Sequence, residues 1–291
     1  MIAAPRRSFS LSIPGRVPLV LGPRTLVMGV LNVTPDSFSD GGLALDPARA
    51  VDLALAMQSA GADIIDLGAE STRPGARPVP VAEEIARARP VLKALAPRLK
   101  VPISIDTYKA AVATMAIDEG AAMVNDISGF DYDAAMGPAV ARSGVPAVLM
   151  HTRGRPEDMY THADYGNVVA EVLADLQRCV SRAQEFGVDR RKLIVDPGLG
   201  FAKRAAQSIA ALVGLDHLAE LGLPILIGPS RKSFLAAATG PLSPEDRDWP
   251  TAAAVTAAIL GGAHIVRVHA VEKMVHVARL ADALRLAASD S

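Results

Sequence analysis

Residues 101–151 read VPISIDTYKAAVATMAIDEGAAMVNDISGFDYDAAMGPAVARSGVPAVLMH. Three short runs rich in β-branched residues and leucine lie in it, at 103–105, 123–125 and 147–150. Longer segments of helical spacing separate them, and Gly120 and Gly144 stand just before the second and third runs. Continuous apolar runs of this length suit strands buried on both faces, which parallel sheets contain. A glycine ahead of each run suits the left-handed turn that ends a helix.

The same alternation continues in both directions. Further strand-like runs occur at 27–31, 64–67, 193–195, 225–227 and 265–268, making eight in all. Helical spacing is clear in Val51, Leu55 and Met57 before Gly61, and in Val169, Val172, Leu173, Leu176 and Val180 before Gly187. Gly222 and Gly262 complete the set of six cap glycines. Eight βα units in one chain favour a closed (β/α)8 TIM barrel over an open doubly wound sheet. Ahead of the barrel, Phe9, Leu11 and Ile13, then Val17, Leu19 and Leu21, alternate as a hairpin that would close its floor. The expectation is one domain over 1–291, with 1–24 as an N-terminal extension.

Composition narrows the function classes. The chain has 291 residues, 50% hydrophobic and 21% charged, with 30 Lys+Arg against 31 Asp+Glu. Neither disorder nor a polyanion-binding surface fits that balance, so nucleic acid is not an expected partner. Cys179 is the only cysteine, which excludes an internal disulfide and suits a reducing compartment. Residues 1–15 carry Arg6 and Arg7 without the apolar run of a secretory signal, and the alanine-rich stretch 251–268 is broken by Gly261, Gly262, His264 and Arg267. A cytoplasmic protein with no membrane partner is expected.

In a TIM barrel the active site forms at the C-terminal strand ends. Those ends hold Asn32, Asp66 with Glu70 to Arg73, Asp106, Asn125 with Asp126, His151, Asp196, Ser230 to Lys232, and Arg267 with His269. The opposite turns hold mainly Gly, Ala and Pro. Arg267 and His269 are two residues apart in a strand, share a face, and can grip one anion. Asp106 and Asp196 at the barrel mouth, with Asn125 near them, suit a ligand with amidine-like N–H groups, such as a 2-aminopyrimidinone edge.

The segment from Met28 to Gly42, which includes Asn32, Thr34, Pro35, Asp36 and Ser37, resembles the first signature of the dihydropteroate synthases. Asp66 to Gly75 resembles the second. Further similar pieces are 104–107, 124–129, 149–151, 196–198, 200–203, 230–233 and 267–269, in the family's order along almost the whole chain. The resemblance implies an enzyme that joins 6-hydroxymethyl-7,8-dihydropterin pyrophosphate to p-aminobenzoate. It implies pterin contacts from Asp106, Asn125, Asp196 and Lys232, with Ile127, Met150, Phe201 and Gly228 as walls. Asn32, Arg73, Arg267 and His269 would hold the pyrophosphate, Asn32 partly through Mg2+. Thr72, Pro74, Phe201, Lys232 and Ser233 would form the p-aminobenzoate pocket. Asp36, Arg73, Lys232, Arg267 and His269 would carry the chemistry, and a homodimer is implied.

Plainer readings stand beside these. His151 reads equally as a satisfied structural histidine and stays outside the site; Asp66 and Asp126 read as groups that orient neighbours; Asp40 with Gly41 and Gly42 suits ordinary turn chemistry; Arg153, Arg155 and Arg178 read as solvated. Ala270 stands where the family commonly has an aspartate, which would loosen support for His269, and 152–154 vary a loop of the family pattern. The alternatives are a methyltetrahydrofolate-dependent methyltransferase, which needs no diphosphate grip, a silent pterin-binding paralogue, and an aldolase forming a Schiff base at Lys232.

Overall fold

The computed structural model describes residues 3–34, 47–243 and 246–289. The chain opens with β1 (Phe9–Leu11) and β2 (Leu19–Leu21), then alternates strands and helices: β3 (Leu26–Asn32), α1 (Pro47–Ser59), β4 (Ile64–Gly68), α2 (Val81–Leu95), β5 (Ile103–Asp106), α3 (Ala110–Asp118), β6 (Met123–Asp126), α4 (Met136–Ser143), β7 (Ala147–Met150), α5 (Val168–Glu185), β8 (Leu193–Asp196), α6 (Ala205–Val213), β9 (Leu226–Ile227), α7 (Ser233–Thr239), α8 (Asp248–Leu260), β10 (Ile265–Val268) and α9 (Val271–Ser289). Strands β3 to β10 form one parallel sheet in the order β8-β7-β6-β5-β4-β3-β10-β9. A parallel bridge between Val195 and Ile225 joins its two edges, so the sheet closes into a TIM barrel.

All six cap glycines, Gly61, Gly120, Gly144, Gly187, Gly222 and Gly262, have positive φ, as the helix-to-strand turns require. The hairpin expected at the N-terminus also forms, with Phe9 paired to Leu21 and Leu11 to Leu19. Val17 lies outside β2 and is exposed. Leu11 and Leu21 enter the barrel lumen, where they pack with Leu26, Met28, Ile64, Met123, Val148, Ile194, Leu226 and Ile265. Arg6 ties the extension to the barrel by donating to Gly22 O, Thr25 Oγ1, Ala263 O and Asp282 Oδ1, at 2.9, 2.7, 2.8 and 2.7 Å.

Period-two alternation sorts the strand residues into an outer shell and a lumen. Val27, Ile65, Leu67, Ile103, Ile105, Val124, Leu149, Val195 and Val266 pack outward against the helices. Their neighbours face in. Low in the lumen those neighbours are the apolar residues of the floor layer, and one step further along the strands the same face carries Asp66, Asp106, Asn125, Met150, Asp196 and Arg267. A register slip of one residue would send these polar groups into the apolar helix interface, so the buried pattern itself specifies where they stand.

Candidate active site

Strand register places the polar residues in a row. Asn32 pairs with Gly68, Gly68 with Asp106, and Asp106 with Asn125, across β3 to β6 at the barrel rim. Gly68 interrupts the row with no side chain, and a Cβ there would lie 3.5 Å from Asn32 Oδ1 and 3.6 Å from Asp106 Oδ2. The amide and the carboxylate therefore flank an open slot.

Arg267 crosses the lumen from β10. Its Nε donates to Asp66 Oδ2 and its Nη2 to Asp106 Oδ2, each at 2.6 Å, while Asn125 Nδ2 donates to the same Asp66 oxygen at 3.0 Å. Such charge-assisted bonds fix the guanidinium between two carboxylates. Asp106 Oδ1 is buried and has no partner among the described residues. A buried carboxylate oxygen without a donor is costly, and a ligand N–H would relieve it. Burial pushes Asp106 up to about 7, against the pull of Arg267. It also raises Asp196, against Lys232 and the backbone N–H of Gly198, which donates to Asp196 Oδ1 at 2.7 Å.

Opposite these acids, burial lowers Lys232 to about 8, with Asp196 opposing the shift. The Lys232 ammonium donates to Leu199 O and sits 4.5 Å from the centroid of the Phe201 ring. Tyr108, Ile127 and Met150 form a small buried apolar cluster against which Tyr132 and Phe201 pack. This cluster is a flat-sided wall beside the acids, suited to an aromatic heterocycle. Gly228 lies under Arg267, whose Cβ would be 3.7 Å from an added Cβ.

A cationic end adjoins the acids. His269 Nδ1 lies 2.9 Å from Ser230 Oγ, and the Ser230 hydroxyl also accepts from His269 N at 3.2 Å. Burial, with the nearby charges of Arg267, Arg231 and Arg73, pushes His269 down to about 3. Arg73 thus acts on this histidine from the loop after β4, which is docked elsewhere through Gly75 N to Pro156 O at 2.8 Å. Two acids, an amide, an apolar wall and a cluster of cations suit a planar, donor-rich ring carrying an anionic tail.

The pterin-binding enzyme family matches residues 28–269. A dihydropteroate synthase of Synechocystis is 47% identical over 263 residues, covering 90% of this chain and 91% of that protein. The chain belongs to the dihydropteroate synthase family. Solved dihydropteroate synthases agree: that of Xanthomonas albilineans with 4-aminobenzoic acid has TM-score 0.88 and 41% identity, covering 96% of this chain and 99% of its own. That of Burkholderia cenocepacia with 7,8-dihydropteroate has TM-score 0.87 and 39% identity, covering 97% and 99%.

Within this dihydropteroate synthase fold, Asn32, Asp106, Asn125, Asp196, Lys232 and Arg267 gather around one end of the lumen, with Ile127, Met150 and Phe201 beside them. Thr72 is half-buried in its loop, while Arg73, Pro74 and Ser233 are exposed, Ser233 opening α7. Asp36, Asp40, Gly41 and Gly42 lie outside the described residues. Asp126 does orient its neighbours, accepting from Ser128 N and Oγ, each at 2.7 Å, and from Phe130 N at 3.1 Å. Asp66 likewise holds Asn125 and Arg267.

Two readings change. Arg153 is half-buried, bonded to Asp175 and Glu171 and 4.1 Å above the Tyr165 ring, because loop 152–158 folds back onto α5. His269 has a support outside position 270, because Ser230 Oγ lies 2.9 Å from its Nδ1. Sequence reasoning missed Tyr108 and Tyr132, which the apolar wall needs, and the roles of Glu70, Lys109 and Lys203. Tyr108 directly follows the Ser104 to Thr107 motif, a signal that was available. Lys109 donates to Glu70, to Val79 O and to Glu84, at 2.6 Å for the last, and so staples both ends of the loop bearing Thr72 to Pro74.

Proposed function

We propose that this dihydropteroate synthase binds the pterin ring through Asp106, Asn125, Asp196 and Lys232, and the diphosphate through Arg73, Arg267, His269 and Asn32. The reaction condenses 6-hydroxymethyl-7,8-dihydropterin pyrophosphate with p-aminobenzoate to give 7,8-dihydropteroate and pyrophosphate. The observation that carries the binding mode is Asp106 Oδ1, buried next to Asn125 and without a partner among the described residues, because a ligand N–H arriving there would satisfy it.

The C–O bond to pyrophosphate breaks with its electron pair leaving on the phosphate oxygen. Arg267, His269 and Arg73 stabilise that charge as it develops, which lowers the barrier to its departure. The arylamine nitrogen supplies the pair for the new C–N bond and then loses a proton to solvent. Phe201, Lys232, Thr72, Pro74 and Ser233 form the pocket that presents the amine, with no protein nucleophile required. Asp36 stabilises the positive charge that develops on the pterin methylene, so a D36A enzyme is expected to lose turnover.

Mg2+ fits as a cation shared with substrate. It prefers oxygen ligands and is commonly held by one or two protein groups together with phosphates. Asn32 Oδ1 flanks the slot above Gly68, and among the described residues no group of three His, Cys, Asp or Glu forms a metal cage of the protein's own. Asn32 would hold the ion, which would supply further charge stabilisation to the diphosphate.

The enzyme works as a single barrel domain in the cytoplasm, a setting supported by its lone cysteine. No helix among the described residues is long and apolar enough to cross a membrane. It pairs as a homodimer: α6 and α8 pack side by side and leave Ile209, Val213 and Trp249 exposed, a surface that a second copy would cover. Light scattering of Trp249→Lys is expected to show a monomer.

The deciding assay measures pyrophosphate release with and without Mg2+. Release must require both substrates. Binding of the pterin substrate without release would instead identify a silent paralogue, and methyl transfer to a corrinoid would identify the methyltransferase.

A further inference from the structure

Loop 197–204 joins β8 to α6 and carries Phe201, the ring under the Lys232 ammonium. Its backbone is unusual for its sequence. Ala202 has φ 47°, a left-handed conformation that an alanine adopts only under constraint. Gly198 sits so tightly that a Cβ would lie 2.0 Å from His151 O. Something must hold this shape.

Lys203 is the group placed to do so. It is 1% exposed, and its ammonium has three acceptors: His151 Nδ1 at 2.7 Å, Gly198 O at 3.2 Å and Phe201 O at 3.1 Å. An ammonium has three N–H donors, so every one is used. His151 passes the interaction on, because its Nε2 lies 2.9 Å from Asp175 Oδ2, which Arg153 also holds, while Arg178 bonds Asp175 Oδ1. The ring can accept at Nδ1 only as the Nε2–H tautomer, which then donates to Asp175. From the other side the Lys232 ammonium bonds Leu199 O of the same loop. The mechanism above gives Lys203, His151 and Asp175 no part.

We propose that Lys203, backed by His151 and Asp175, is a positioning residue that sets the p-aminobenzoate pocket by pinning the loop that carries Phe201 and anchors Lys232. The inference rests on the assignment of Phe201 and Lys232 to that pocket. Small displacements of such positioning groups cost rate and affinity together.

The test compares the unmodified enzyme with Lys203→Met, which keeps the stem and removes the donors. KM for p-aminobenzoate is expected to rise about tenfold with a smaller fall in kcat, while KM for the pterin substrate rises less, about threefold, since Phe201, Lys232 and Asp196 also border the pterin but Asp106, Asn125 and Arg267 hold it from other strands. In a Phe201→Ala background the same change is expected to cost only about twofold, because the ring it positions is gone. An unchanged KM for p-aminobenzoate, or a full tenfold cost repeated in the Phe201→Ala background, overturns the proposal. Two arms do not depend on that variant folding. Asp175→Asn is expected to raise the same KM about threefold, and no rise overturns the proposal. Nitrogen NMR of the unmodified enzyme must show His151 as the Nε2–H tautomer, and an Nδ1–H signal overturns it. Absence of pyrophosphate release from the unmodified enzyme overturns the functional reading and this inference with it, which separates the two failures.

Discussion

Arg267 is bonded to two acids at once, and both its stability role and its catalytic role follow from that. Its removal leaves Asp66 and Asp106 as buried carboxylates without a counter-charge. Breaking a buried pair in this way costs about 3–5 kcal/mol. Arg267→Met is therefore expected to lower the unfolding free energy from urea titration by that amount and to abolish activity, and Asp66→Asn in the same background is expected to recover part of the stability. His269 gives a pH signature. Its folded-state value lies near 3, below the ordinary histidine value, so burial and the neighbouring arginines hold it neutral at pH 7. For a histidine lowered by folding, stability is lost as pH falls from the ordinary value toward the folded one. A bound diphosphate raises the histidine again, so binding takes up a proton between about pH 4 and 6. Calorimetry of pyrophosphate binding in buffers of different ionisation enthalpy is expected to show that uptake, and His269→Gln is expected to lose it.

At the element scale, most site side chains come from the end of a strand or the loop after it, and part of their support comes from helices. Asp248 of α8 bonds Arg231 at 3.1 Å, and Thr251 Oγ1 accepts from Arg231 N at 3.1 Å, holding a residue with φ 59° next to Lys232. The start of α9 is less well finished. Ala270 O accepts from Met274 N at 3.0 Å, so Ala270 occupies the N-cap with no side-chain acceptor. An aspartate cap typically contributes about 1 kcal/mol. Ala270→Asp is expected to raise the melting temperature by about 2–4 °C in calorimetry, the usual yield of that energy in a chain of this size.

For the molecule as a whole, the floor and the mouth of the barrel divide the work. Leu11 is wholly buried in the lumen, at the end away from the site. Truncating a buried leucine costs about 2–5 kcal/mol. Leu11→Ala is expected to lose that stability in denaturant titration while kcat/KM at 25 °C stays within about twofold, since the acids sit a layer above. A large loss of activity in folded protein would show that floor and mouth are mechanically coupled.

The eight strands, the six cap glycines, the hairpin and the polar strand ends were all legible in the chain, because period-two burial and left-handed glycine turns are local rules that leave a local trace. Asp106, Asn125, Asp196 and Lys232 could be named as site residues for the same reason. What no local rule carries is which side chains meet across the lumen. That Arg267 bonds Asp66, 201 residues away, and that Lys203 lies inside the wall when a lone lysine ordinarily faces water, follow from closure of the barrel. Closure brings strands distant in sequence within bonding distance and removes water from between them, and it is this exclusion of water that gives those charges their partners and their shifted protonation.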